Sequence, residues 1–223
     1  MSGEERLPIV VLISGGGTNL QAIIQGTRAD LPVDIRAVIS NSADAYGLVR
    51  ARDADIATRI VDHRQFAARA DHDHALRSAI DAYAPALVVL AGYMRILTAD
   101  FVRHYRGRML NIHPSLLPKF RGLKTHERAI EAGETEHGAS VHFVTEDLDG
   151  GPVIIQARVP VEAGDTPQSL AARVLEKEHI IFPLTIRWFA EGRLRLEGNR
   201  VVLDGRVLEQ PVQLETLPEA DRV

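Results

Sequence analysis

Ile9-Val10-Val11-Leu12-Ile13-Ser14-Gly15-Gly16-Gly17-Thr18-Asn19-Leu20 is the stretch on which the fold turns. Five apolar, mostly β-branched residues in a row, without alternation, are the pattern of a strand covered on both faces. Three glycines then let the backbone approach its neighbours closely and adopt positive φ. Helical spacing follows over Asn19–Gln25. A two-sided strand, a glycine turn and a helix together open a parallel α/β sheet.

The alternation continues outward from that stretch. Short apolar runs at Val33–Ile39, Ile56–Val61, Ala86–Ala91 and Met109–Ile112 alternate with helix candidates near Ala45–Ala54, Asp71–Tyr83 and Thr98–His104. Ligands of such sheets sit at the carboxyl ends of the strands. Ser14, Asn41, Gly92 and His113 each stand just past an apolar run, so one crevice can gather them. After the proline-rich Pro114–Pro118 come a helix over Thr125–Ala132 and strands over Ala139–Thr145 and Pro152–Val159. The short turn Asp147-Leu-Asp-Gly-Gly151 makes that pair antiparallel. Asp165-Thr166-Pro167 suits a helix start, and that helix is expected to reach about Trp188. The tail reads as short strands at Arg195–Leu196, Val201–Leu203 and Val207–Leu208, then an acidic, proline-containing fringe. The fold class is therefore α/β: a Rossmann-like doubly wound, mostly parallel sheet with an antiparallel portion in the C-terminal half.

Composition removes several kinds of chemistry. The 223 residues include no cysteine, which excludes a disulfide framework, a thiolate nucleophile and a zinc–thiolate site. Lys119, Lys124 and Lys177 are the only lysines, so a Schiff base has three possible positions, all in the second half. A net charge of -4 gives no electrostatic footprint for nucleic acid. The longest apolar runs fall far short of the roughly 20 residues that cross a bilayer. Met1–Arg6 lacks the basic flank and apolar run of a secretory signal, so a cytoplasmic protein is expected.

The glycine loop presents unpaired N–H groups and the positive end of a helix to the crevice, which makes it an anion site, best suited to a monophosphate. Thr18 and Asn19 add polar groups that a plain turn would not need; a ligand-free strand–helix turn is the alternative. A dinucleotide fingerprint would need glycine where Leu20 stands and an acidic residue where Ile39-Ser-Asn-Ser42 stands. A triphosphatase loop would need a lysine, and none precedes Lys119.

Met109-Leu-Asn-Ile-His-Pro-Ser-Leu-Leu-Pro118 carries the second signal. Asn111 and His113 are two apart on a strand and share a face, and Pro114 fixes the histidine at the strand's exit. An amide beside an imidazole can polarise a carbonyl and move a proton. On the pair alone a structural role is the simpler reading. A carboxylate partner would change that, and Asp147 and Asp149 are the candidates.

Asn111-Ile-His-Pro-Ser-Leu-Leu-Pro118, His137-Gly-Ala-Ser-Val-His-Phe-Val144 and Asp149-Gly-Gly-Pro152 resemble the motifs of the formyltetrahydrofolate-dependent formyltransferases. With Ser14–Leu20, Leu90-Ala-Gly-Tyr-Met-Arg-Ile-Leu97 and Glu178-His179, the chain resembles the branch acting on glycinamide ribonucleotide in de novo purine synthesis. The resemblance spans about residues 9 to 205. It implies transfer of a formyl group from 10-formyltetrahydrofolate, as co-substrate, to the amine of 5′-phosphoribosylglycinamide, with no metal. Gly17, Thr18 and Asn19 would hold the phosphate, and Glu178 the ribose. Arg69, Met94, Arg95, Ile96, Leu97, Asn111 and Val144 would line the folate site, and Asn111, His113 and Asp149 would be catalytic. One domain is implied over 1–223: a phosphate-binding half over about 7–108, a catalytic and folate half over about 109–208, and a tail over 209–223. Small-molecule partners are implied, with no nucleic acid or membrane, in a monomer or homodimer. A deformylating hydrolase of the family is expected to carry a domain ahead of Leu7, and a methionyl-tRNA formyltransferase a further carboxyl-terminal barrel. Three positions depart from the family pattern: Phe120-Arg-Gly stands for aromatic-Pro-Gly, Tyr93 for phenylalanine, and Leu175 for an often polar residue.

Other groupings look less chemical. Asp71-His-Asp-His74 has metal-ligand residue types, but His72 and His74 diverge on a helix, and a solvated face is expected. His142 reads as a core or supporting residue, since His137 and His142, five apart, tend to opposite strand faces. Gly138-Ala-Ser140 lacks the closing glycine of a nucleophile elbow.

Overall fold

The computed structural model describes residues 6–219; the reading of Met1–Glu5 and the last four residues of the tail lie outside them. The chain divides into two compact units, 1–111 and 112–223.

In the first unit β1 (Leu7–Ile13), β2 (Val33–Ser40), β3 (Thr58–Ile60), β4 (Leu87–Leu90) and the opening of β5 (Met109–His113) pair in the order β3-β2-β1-β4-β5, all parallel. The helices are α1 (Thr18–Ala29), α2 (Gly47–Asp53), α3 (Arg69–Asp81) and α4 (Ala99–His104). Every residue from Ile9 to Ile13 is fully buried, as are Leu87, Val88 and Val89. Adjacent strand residues point to opposite faces, so consecutive burial means that both faces are covered. The sheet order reverses between β1 and β4, and the loops leaving these two strands are where such a sheet binds ligands.

In the second unit β6 (Glu136–Phe143) pairs antiparallel with β7 (Val153–Pro160), and α5 (Thr125–Glu131) precedes them. The 24-residue α6 (Pro167–Ala190) packs on both strands. Thr166 accepts from the Ser169 amide and Ser169 accepts from the Thr166 amide, a reciprocal cap with Pro167 in the first turn. Thus the Asp165-Thr-Pro signal marks the helix start, and the helix outruns Trp188 by two residues. Trp188 itself is buried. β8 (Leu194–Glu197), β9 (Arg200–Leu203) and β10 (Arg206–Val207) form a separate antiparallel sheet. The fold class is the expected one: mixed α/β, mostly parallel, with antiparallel pairing in the second half.

The acidic, proline-containing fringe after Leu208 holds one more strand: β11 (Val212–Gln213) pairs parallel with β7, Val212 opposite Ile155. One expectation is corrected: Asp71–His74 is not a solvated face. His72 and Asp73 are 1% and 3% exposed, while Asp71 and His74 face outward. Asp73 Oδ2 accepts from the Thr98 amide at 2.6 Å and its Oδ1 lies 3.1 Å from His72 Nδ1. His72 Nε2 lies 3.1 Å from the Val61 carbonyl. The local polarity of the sequence concealed an internal cap that joins α3 to the start of α4, a long-range partnership that helical periodicity does not encode. No group of three or more metal-ligating side chains occurs among the described residues, and none of their helices is long and apolar enough to cross a membrane.

Asp73→Ala would strand the Thr98 amide and the His72 ring in the interior. It is expected to lower unfolding stability by about 2–4 kcal/mol, read by urea denaturation, with Asp71→Ala as the near-neutral exposed control.

Candidate active site

The glycine loop leaves β1 and enters α1 with Gly17 at φ +70°, in the left-handed region. It rests on α2 at close range: a Cβ on Gly17 would lie 2.6 Å from the Gly47 Cα. Thr18 is half-buried and Asn19 is buried at the first turn of α1. Beside the loop, Ser14 joins the ends of β1, β2 and β4. Its Oγ donates to Asn41 Oδ1 at 2.6 Å and accepts from the Met94 amide at 2.8 Å, and its N–H donates to the Gly92 carbonyl. Three of the four residues expected past the strand ends are therefore brought together in this unit.

The segment leaving β4 exposes Met94 and Ile96, with Arg95 and Leu97 between and after them half-buried. Met94 and Ile96 are thus large apolar side chains left outside the core. Arg69 is exposed at the first position of α3. Tyr93 is 7% exposed, and its hydroxyl is buried without a hydrogen-bond partner. Burial pushes that phenol well above its ordinary range.

The second unit gathers the titratable groups. His113 ends β5 and is buried. Its Nδ1 lies 3.4 Å from Asp149 Oδ2, and its Nε2 donates to the Phe120 carbonyl at 3.0 Å. Both ring nitrogens thus face oxygen acceptors, the Asp149 carboxylate and the Phe120 carbonyl. Asp149, not the exposed Asp147, is the carboxylate partner. The same Asp149 Oδ2 accepts from the Gly122 amide at 2.9 Å, and Oδ1 lies 3.8 Å from His142 Nε2. Asp149 holds φ +48°, a left-handed conformation rare outside glycine, within the turn joining β6 to β7. Gly151 closes that turn where a Cβ would lie 1.8 Å from the Phe143 carbonyl, so only glycine fits. Asn111 stands half-buried two residues before His113, Val144 is half-buried just past β6, and Glu178 is buried on α6.

Around this pair lie three more histidines. His142 Nδ1 donates to the Phe143 carbonyl at 2.9 Å, and burial pushes the ring down from its ordinary 6.5 to about 4. His137 Nε2 faces His126 Nδ1 at 3.1 Å, so one ring donates to the other and both cannot be charged. Burial and then the His126 charge take His137 to about 4, and burial also lowers His126. The loop after β5 is pinned from below. Ser140 Oγ donates to the Ser115 carbonyl and accepts from the Leu117 amide, and Gln156 Nε2 donates to the Leu117 carbonyl. Ser140 is thus a structural hydroxyl, as the missing elbow glycine suggests.

Sequence reasoning missed the Gly122 amide and the Phe120 carbonyl, because backbone groups carry no residue signature. Of the three departures from the family pattern, Phe120-Arg-Gly contributes both of these groups through its backbone, and neither comes from the departing Arg121. Leu175 is half-buried on α6.

Fold and cluster together define a class. The family model described as formyl transferase matches residues 7–186, and the chain belongs to the formyl transferase family. Within it, the chain is 58% identical over 201 residues to the phosphoribosylglycinamide formyltransferase of Escherichia coli, covering 90% of this chain and 95% of the relative. It is 51% identical to the protein of that name from Haemophilus influenzae over the same shares of the two chains. The solved structure of phosphoribosylglycinamide formyltransferase from Coxiella burnetii superposes with a TM-score of 0.91 at 58% identity, covering 94% of this chain and 99% of that one.

Two rings held neutral by burial have a measurable consequence. Between about pH 4 and 6.5 the unfolded chain protonates His137 and His142 while the native chain does not, so the unfolded state binds more protons there. Stability is expected to rise with pH across that window and to fall on acidification. In urea melts at successive pH values, His137→Gln should flatten the slope by up to one proton.

Proposed function

We propose that this protein transfers the formyl group of 10-formyltetrahydrofolate to the amino group of 5′-phosphoribosylglycinamide in de novo purine biosynthesis. The observation that carries the reading is the buried His113 ring, held between Asp149 and a backbone carbonyl at the exit of β5. The relatives' shared name, at more than half identity over nine-tenths of the chain, supports the formyl acceptor, and the family resemblance implies the folate donor.

The substrate amine is the nucleophile, which suits a chain without cysteine. Its nitrogen attacks the formyl carbon on N10, and the carbonyl oxygen takes up negative charge. The Phe120 carbonyl occupies the acceptor position 3.0 Å from His113 Nε2; in the reaction the formyl oxygen takes that position. The Asn111 amide is the second donor. Loss of one such donor typically costs about 10²–10³ in rate. Asp149 orients the ring through Nδ1. When the carbon–N10 bond breaks, a bound water carries the amine's proton to N10. No metal enters the scheme.

Gly17, Thr18 and Asn19 hold the 5′-phosphate through backbone amides at the start of α1, with the helix dipole in support. Glu178 accepts from the ribose hydroxyls. Met94, Arg95, Ile96 and Leu97 receive the folate with Asn111, Val144 lies against the pterin, and Arg69 meets the glutamate tail. The two halves of a single catalytic chain thus divide phosphate binding from formyl chemistry. The partners are these small molecules, in a cytoplasmic monomer or homodimer.

Folate deformylation followed spectroscopically, with and without the amine, tests the reading. Turnover is expected only when 5′-phosphoribosylglycinamide is present; equal turnover without it would mean a hydrolase and overturn the proposal. His113→Ala, checked for folding by circular dichroism, is expected to lose at least 10²-fold in kcat, and near-wild-type turnover would remove His113 from the mechanism.

A further inference from the structure

The carbonyls of the glycine loop are each taken up by the protein. Gly15 O accepts from the Gly47 amide at 3.0 Å, and Gly17 O from the Gln21 amide at 2.9 Å, inside the first turn of α1. Gly16 O accepts from Arg50 Nε at 2.8 Å. That guanidinium is itself oriented: Nη1 donates to Gln21 Oε1 at 3.2 Å, and the group lies over the Tyr46 ring, 5.1 Å from its centroid. Tyr46 stands at the entry of α2, Gly47 begins it and Arg50 lies in its last turn, and α2 and α1 pack together.

A trans peptide is planar, so the carbonyl of one residue and the N–H of the next point in opposite directions. Drawing the Gly15, Gly16 and Gly17 oxygens into the protein turns the Gly16, Gly17 and Thr18 N–H groups the other way. In most sequences side chains would oppose a flip of such a peptide. Three successive glycines offer little resistance, because they populate both signs of φ. A flipped Gly16–Gly17 peptide would present an oxygen, instead of a donor, to an anion. The central peptide is the one whose carbonyl is held by a side chain and not by backbone.

We propose that Arg50 is a positioning residue for substrate phosphate: its Nε–H latches the Gly16 carbonyl and so fixes the polarity of the loop's amides. The inference rests on the reading of this loop as the phosphate site. Arg50 acts through the backbone, not as a direct cation for the phosphate, and this distinction is testable because glutamine places its amide nitrogen where arginine has Nε. Arg50→Gln keeps the donor and loses the charge; Arg50→Met loses both. The half-exposed position makes both substitutions compatible with folding, to be checked by thermal melts.

The assay compares KM and kcat for 5′-phosphoribosylglycinamide and for the unphosphorylated glycinamide riboside. For Arg50→Met, KM for the phosphorylated amine is expected to rise about tenfold, with kcat and the folate KM within about twofold and the riboside unaffected. Arg50→Gln should stay within about threefold of wild type. Unchanged KM in Arg50→Met, or equal losses in the two variants, overturns the latch; equal losses would make Arg50 a simple electrostatic attractor. The underlying reading fails separately, taking this inference with it, if the wild-type enzyme uses riboside and ribonucleotide equally well. It fails in the same way if Gly17→Ala, which forces a Cβ against Gly47 at positive φ, leaves the ribonucleotide KM unchanged.

Discussion

The Asp149 carboxylate is the constraint on which the site's arrangement depends. One oxygen meets both His113 Nδ1 and the Gly122 amide, and the other faces His142. A single side chain therefore fixes the strand exit, the loop that follows it and the neighbouring strand end. Holding a carboxylate there demands unusual backbone: Asp149 itself is left-handed, and Gly151 admits no Cβ beside the Phe143 carbonyl. Departures of this kind from ordinary turn chemistry accumulate where a function requires them. The buried His142 ring, pushed toward its neutral form, brings no competing positive charge beside His113.

The first unit solves a different problem by a parallel device. Its proposed anion site has no lysine near it in sequence, so the binding groups are backbone amides whose direction has to be enforced. The enforcement comes from α2, through the Gly47 amide and Arg50, and from Ser14, which ties the ends of three strands. In both units, precision comes from tying backbone groups down, and the residues that contact substrate in the proposed scheme are few.

Much of this was legible in the sequence. Consecutive apolar residues at Ile9–Ile13 and Ala86–Ala91 identify two-sided strands, because period-two alternation is absent there. Thr166-Pro167 marks the start of α6 through local capping chemistry. Asn111 and His113 could be placed on one strand face from spacing, and the choice between Asp147 and Asp149 was narrowed to one turn. What spacing cannot encode is long-range pairing. Asp73 is hidden because its partner, the Thr98 amide, is 25 residues away, so the polar run mimics a solvated face. β11 was hidden because two residues in a proline-containing tail have no periodicity to detect. Arg50 carries no motif, and only the approach of α2 to the glycine loop gives it a role.

Proton placement on His113 is the most direct test of the account. Nitrogen-15 correlation spectra of the imidazole ring, recorded at neutral pH on wild type and Asp149→Asn, report whether each ring nitrogen carries a proton. Expected are an Nε2–H donating to the Phe120 carbonyl in the wild type and a clear shift of the Nδ1 resonance when the Asp149 carboxylate facing it becomes an amide. A bare Nε2 in the wild type, or a spectrum indifferent to the substitution at Asp149, would contradict the account.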